Sequence, residues 1–161
     1  MSAITNLEPR IVWEQFDAIT RVPRPSKKEG RIIEFLVDFA RKHNLEYKKD
    51  AIGNVVMRKP ATPGFENRPT VILQSHMDMV CETAPDCTKD MTREGLDLFV
   101  DGDTIGARGT TLGGDDGIAV AMALAILDAD DIPHPPLEVV ITVDEEIGML
   151  GAAALDASVL K

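Results

Sequence analysis

PLEVVITVDEE, residues 136 to 146, is an apolar run that stops abruptly on three acids. So continuous a run is the mark of a central strand covered on both faces. Upstream of it, GIAVAMALAILDA (117–129) is apolar almost all round and is expected to be a fully buried helix. LDLFVDGDTIGAR (96–108) reads as a hairpin turning at Asp101-Gly102. TVILQS (70–75) is a further strand, and LEYKKD and GNVVMRK form a hairpin around Ile52-Gly53-Asn54. Two helices open the chain, PRIVWEQFDAIT (9–20) and KKEGRIIEFLVDFARKH (27–43), separated by the break at Pro23 and Pro25. Ser26 and Glu29, three apart, read as a capping box for the second helix, and His43 closes its last turn. Ala84 to Leu98 carries no periodicity and is expected to be a long irregular excursion, a kind of loop that often serves function. Strands alternating with helices predict an α/β fold, a mixed sheet with flanking helices. The strand near Val139 is expected to be left with an exposed edge.

Composition narrows the function. The 161 residues carry a formal net charge of −10, which argues against a sequence-independent grip on nucleic acid. The longest apolar run is too short to span a membrane and follows two aspartates. No basic start followed by an apolar stretch marks a signal peptide. Cys81 and Cys87, with five residues between them, match no usual zinc spacing and suit two free thiols in a reducing cytoplasm.

Three groups could carry chemistry. His76 and Asp78, in VILQSHMDMV, sit two apart at the end of a strand, so both side chains point the same way. Asp115 and Asp116 precede the apolar helix, and Asp144, Glu145 and Glu146 follow the central strand. In open α/β sheets such strand ends are where ligands bind. Taken singly, these are a hydrogen-bonded pair, a helix cap and a solvated turn. Together, carboxylates with one imidazole suit a zinc-type cation. RGTTLGGDDG lacks the Lys-Ser/Thr ending of a phosphate-binding P-loop and puts two negative charges where phosphate would sit.

SHMDMV, ARGTTLGGDDGI and DEEIGMLGA, in that order, resemble the co-catalytic zinc peptidases that include peptidase T and carboxypeptidase G. From about Val22 to Ala154 the chain is most similar to their aminoacyl-histidine (Xaa-His) dipeptidase branch, the carnosinase-type peptidase D enzymes. The resemblance implies a zinc-peptidase (phosphorylase/hydrolase-like) catalytic domain and hydrolysis of small dipeptides such as β-alanyl-histidine. It implies two Zn2+ ions, with Co2+ or Mn2+ as substitutes. His76 would bind one, Asp115 would bridge both, and Glu146 would bind the other. Asp78 would orient the His76 ring, and Glu145 would be the general base; Asp116 has no role carried over. Choosing Asp115 over Asp116 rests on the motif, since physics alone leaves both open. Family members are several times longer, so residues 1–161 are expected to be the N-terminal part of the catalytic domain. The remaining ligands and a lid or dimerisation domain are expected elsewhere, and neither His43 nor His134 stands in for a ligand. The resemblance further implies a cytoplasmic enzyme, homodimeric at full length. A tripeptidase or amino-acid deacylase fits the same motifs. The rival from another class is a non-catalytic fragment that folds or binds a partner without turnover.

Overall fold

The computed structural model describes residues 4–160. Its helices are α1 (Arg10–Thr20), α2 (Gly30–Lys42), α3 (Gly114–Asp128) and the short α4 (Leu150–Ala154), followed by a 3-10 turn at Ala157–Val159. Its strands are β1 (Glu46–Lys49), β2 (Val55–Lys59), β3 (Val71–His76), β4 (Leu98–Asp101), β5 (Thr104–Ala107) and β6 (Leu137–Thr142). Four strands make one mixed sheet in the order β1-β2-β6-β3, with β6 antiparallel to β2 and parallel to β3. β4 and β5 pair separately as a hairpin turning at Asp101-Gly102.

Every residue of β6 is buried, as its apolar run requires. Side chains alternate across a strand. Val139 and Ile141 join Val55 and Met57 in the main core, beneath Phe16, Ile19, Leu36, Val120 and Leu124 of the three long helices. Val56 and Val140 point the other way, against Leu155, Val159 and Leu160. That second face also holds Glu138, buried in register with Arg58 and joined to it by a 2.7 Å ion pair. Arg58 binds Glu46 and the Val159 carbonyl as well.

Three expectations need correction. α3 is not buried all round, because Met122 is half exposed. The sheet's edges are β1 and β3, the latter with Val71 and Ile72 exposed, and not β6, which is paired on both sides. The second helix starts at Gly30 with Glu29 as its N-cap, and no side chain caps it. Lys27 has a left-handed φ of 68°, which keeps residues 27–29 out of the helix. Ser26 and Glu29 are turned to other partners, described below.

The excursion from Ala84 to Leu98 is built of turns, yet it is pinned down. Ala84 N donates to Gly109 O, Arg108 N to Asp97 O, and Leu96 N to Thr20 O. No helix among the described residues is long and apolar enough to cross a membrane.

Candidate metal centre

Because β3 and β6 run parallel and in register, His76 opposite Thr142, their C-terminal ends open at the same edge of the sheet. His76 closes β3, and Asp144, Glu145 and Glu146 follow β6 by a few residues. The turn entering α3 brings the third group to the same place. His76 Nε2 lies 3.1 Å from Asp115 Oδ1 and 3.7 Å from Glu145 Oε2. Its other nitrogen, Nδ1, lies 3.1 Å from the Asp78 carbonyl and 3.4 Å from Asp78 Oδ1. The ring is thus held from behind, chiefly by a backbone oxygen, with one nitrogen turned toward two carboxylates.

Asp78 is fully buried, and its carboxylate collects donors. Oδ1 accepts from Glu145 N at 3.0 Å; Oδ2 accepts from Glu146 N at 3.2 Å and from Ser26 Oγ at 2.7 Å. Burial alone would raise its pKa, but His76, these two amides and Ser26 overcome that and hold it at about 2. For His76, burial alone would lower the pKa, and hydrogen bonds to Asp78 and Asp115 with the charges of Asp78 and Glu145 lift it to about 9.

Of the adjacent aspartates, Asp115 reaches His76, and its side chain is 90% exposed. Asp116 is partly buried; burial raises its pKa, partly offset by the charge of His76 and by nearby backbone N–H groups. Both break the helical geometry at the start of α3, with φ/ψ of −82°/111° at Asp115 and −114°/29° at Asp116, and Asp116 is bonded to the Ala119 backbone at the spacing of a helix cap. Glu145 is about one-third exposed beside the imidazole. Glu146 joins through its backbone amide; its carboxylate makes no hydrogen bond or ion pair among the described residues. His43 pairs with Asp128 and stacks on Phe39. His134 is buried near the start of β6, at the opposite end of that strand, where Nδ1 lies 2.8 Å from Pro135 O.

Residues that sequence spacing left without a part in this chemistry, or with a different one, surround this centre. Arg24 is almost wholly buried, and its guanidinium donates to the carbonyls of Met77, Asp78 and Gly113. Glu29 Oε1 accepts from Asp144 N at 3.1 Å, and Lys27 N donates to Asp144 Oδ1 at 2.8 Å. Glu29, Asp78 and Asp144 bring carboxylate oxygens within 4.8 Å of one another. Each of the three accepts at least one backbone N–H, so the trio holds the 144–146 turn in place. Sequence spacing marked only Ser26 and Glu29 in this stretch, as a capping box, and gave no signal for Arg24.

A cation suits the outer cluster. Nε2 and two carboxylates converge on one side, and Nδ1 is held by its own acceptor, the arrangement that fixes a metal-ligating imidazole. One nitrogen with carboxylate oxygens is a donor set that zinc accepts.

The profile of peptidase family M20/M25/M40 matches residues 72–161, which include all three acidic groups and His76. The chain belongs to this family. It is 42% identical, over its full length, to the cytosol non-specific dipeptidase of Escherichia coli, and spans 33% of that protein. Among solved structures, the aminoacylhistidine dipeptidase of Vibrio alginolyticus superposes with a TM-score of 0.96 at 43% identity, covering 99% of this chain and 33% of that one. A tripeptidase from Staphylococcus aureus gives 0.78 at 26% identity, covering 96% of this chain and 42% of that one. The chain therefore spans about a third of the length of the dipeptidases it matches. The mixed sheet with flanking helices is shared with these peptidases.

Proposed function

We propose that residues 1–161 form the N-terminal part of the catalytic domain of a metal-dependent dipeptidase that cleaves Xaa-His dipeptides such as β-alanyl-histidine. The observation that supports this most is the convergence of Asp115 and Glu145 on His76 Nε2 in a member of a peptidase family. His76, Asp115 and Glu146 would hold zinc, two ions in a complete site, with Co2+ or Mn2+ as alternatives. Bound zinc supplies a Lewis acid that polarises a peptide carbonyl and makes water acidic near neutral pH.

The chain's own residues do the rest. Asp78 fixes the imidazole and, through the amides of Glu145 and Glu146, the turn that carries both glutamates. Glu145, partly exposed beside His76, takes a proton from the attacking water and returns it to the departing amine. Binding energy and orientation for the dipeptide come from a closed pocket, to which the remainder of the longer protein would contribute. That protein would be a cytoplasmic homodimer. Dipeptide specificity is favoured by the two relatives named as dipeptidases, one of them as acting on aminoacyl-histidine.

The test uses the longer protein. Glu145→Gln should abolish hydrolysis of β-alanyl-histidine with metal content unchanged, whereas Glu146→Gln should lose metal and activity together. The reverse pattern refutes the assignment. Equal turnover of dipeptides without histidine, or preference for tripeptides, refutes the substrate.

A further inference from the structure

The metal centre hangs on a segment that supplies none of its proposed ligands. Residues 24–29, RPSKKE, touch all three turns that carry the acids and the imidazole. Arg24 Nη1 donates to Met77 O at 3.1 Å and to Asp78 O at 3.3 Å, and Nη2 donates to Gly113 O at 2.6 Å. Arg24 O accepts from Met79 N at 3.1 Å, which binds the two segments in both directions. Ser26 holds the Asp78 carboxylate, while Lys27 N and Glu29 hold Asp144.

The guanidinium also has room made for it. A β-carbon at Gly113, where φ is +62°, would lie 2.5 Å from Arg24 Nη2; one at Gly117 would lie 2.6 Å from the same atom. Both sit at the entrance to α3, on either side of Asp115 and Asp116. A buried cation is costly unless it is well bonded, and here one Arg24 nitrogen, Nε, has no partner. Held at that cost, the side chain spans two segments that also meet through the His76–Asp115 contact, through Met79 packed against Gly113, and through Thr111, bonded to Val80 and Glu82.

We propose that Arg24 is a positioning residue for the metal centre: bonded to the carbonyls on either side of it, it sets the separation of His76 from Asp115, and with Ser26 and Glu29 it makes residues 24–29 the common anchor of the three turns. This rests on His76 and Asp115 being ligands only insofar as metal affinity is the readout; the distance between them is a readout of its own.

Arg24→Lys keeps a buried cation but cannot span the three carbonyls. In a metal-free crystal structure of the 161-residue variant, the four-stranded sheet should persist while Asp115 Oδ1 moves out of hydrogen-bond range of His76 Nε2. Zinc affinity, measured by calorimetry, should fall about tenfold or more, as when the support of a ligand is removed. Gly117→Ala should produce both effects with Arg24 present, by crowding Nη2. In the Arg24→Ala background the Gly117→Ala change should add no further loss. If the Arg24 variants do not fold, Gly117→Ala and Ser26→Ala decide the matter through the same distance and affinity. Retention of the His76–Asp115 contact and of the parent's zinc affinity overturns the proposal, as does lowered thermal stability with affinity unchanged. If His76→Ala leaves zinc binding as in the parent, the metal assignment falls instead, and the crystallographic distance alone decides the role of Arg24.

Discussion

Asp78→Asn tests the interior of the centre most directly. The substitution preserves shape and replaces one carboxylate oxygen by an NH2 group. If the amide faces Oδ1's partners, Glu145 N–H loses its acceptor; if it faces Oδ2's, Glu146 N–H does. Ser26 can rotate to adapt, but a backbone N–H cannot. Hydrogen bonds to a charged acceptor contribute roughly 1.5–3 kcal/mol each, and the remaining ones weaken without the charge, so a loss of about 3 kcal/mol at pH 7 is expected. The gap must also depend on pH. A carboxylate whose pKa falls from 3.8 unfolded to about 2 folded adds stability that is present above 3.8 and lost as pH falls through 2. The difference corresponds to about 2 kcal/mol, roughly half of it gone by pH 3. The variant has no such group, so urea unfolding should show the gap narrowing by about 1 kcal/mol between pH 7 and pH 3. The His76 titration, followed by NMR on the metal-free chain, should also drop below its parent value of about 9. A gap constant down to pH 3, or an unchanged imidazole titration, would refute the reasoning.

Burial raises the Glu29 carboxyl from 4.5 to about 7, so its contribution is fully present below pH 4.5 and lost as pH rises through 7. Glu29→Gln, which keeps the acceptor for Asp144 N without the charge, should be more stable than the parent at pH 8 and indistinguishable at pH 4; the opposite trend in thermal melts sinks this account. Zinc must displace the His76 proton, so affinity should climb steadily from pH 6.5 to about 9, with proton release visible when calorimetry is repeated in buffers of different ionisation enthalpy. A pH-independent affinity would show that the imidazole is not a ligand. Arg58→Met strands the buried Glu138 charge at the sheet centre and should cost about 3 kcal/mol, toward the lower end for a broken buried pair because Glu138 keeps other contacts. A change below about 1 kcal/mol in urea midpoints would contradict that burden of desolvation.

Much of this could be read from the sequence where one local rule governs. The run 136–143 has to lie between neighbours, because six consecutive buried positions admit few polar residues. Glu138 was the exception hidden in it, acceptable only because Arg58 stands opposite on β2. The apolar helix was over-read for the reverse reason: alanines cover α3 so evenly that periodicity does not reveal which side bears the exposed Met122. At the centre, the meeting of three acidic turns followed from strand ends, but choosing Asp115 over Asp116 did not. Ser26 and Glu29 misled because capping spacing is local, whereas their actual partners, Asp78 and Asp144, are brought near only by the finished sheet. Arg24 was silent because what it binds is backbone, which leaves no mark on side-chain pattern.

The place of β6 in the sheet has a consequence for how the protein is made. β1, β2 and β3 leave the ribosome well before β6, yet β6 lies between β2 and β3. Until it arrives, the two earlier strands cannot reach each other's final positions, and both carry open hydrogen-bonding edges that invite wrong pairing. Insertion of the late strand must close long loops back to β2 and β3, a slow event for any topology rich in distant contacts. Only then do Asp144, Glu145 and Glu146 come abreast of His76. A nascent chain halted before Asp144 therefore displays the imidazole and Asp115 without Glu145, so hydrolytic competence cannot precede the docking of β6.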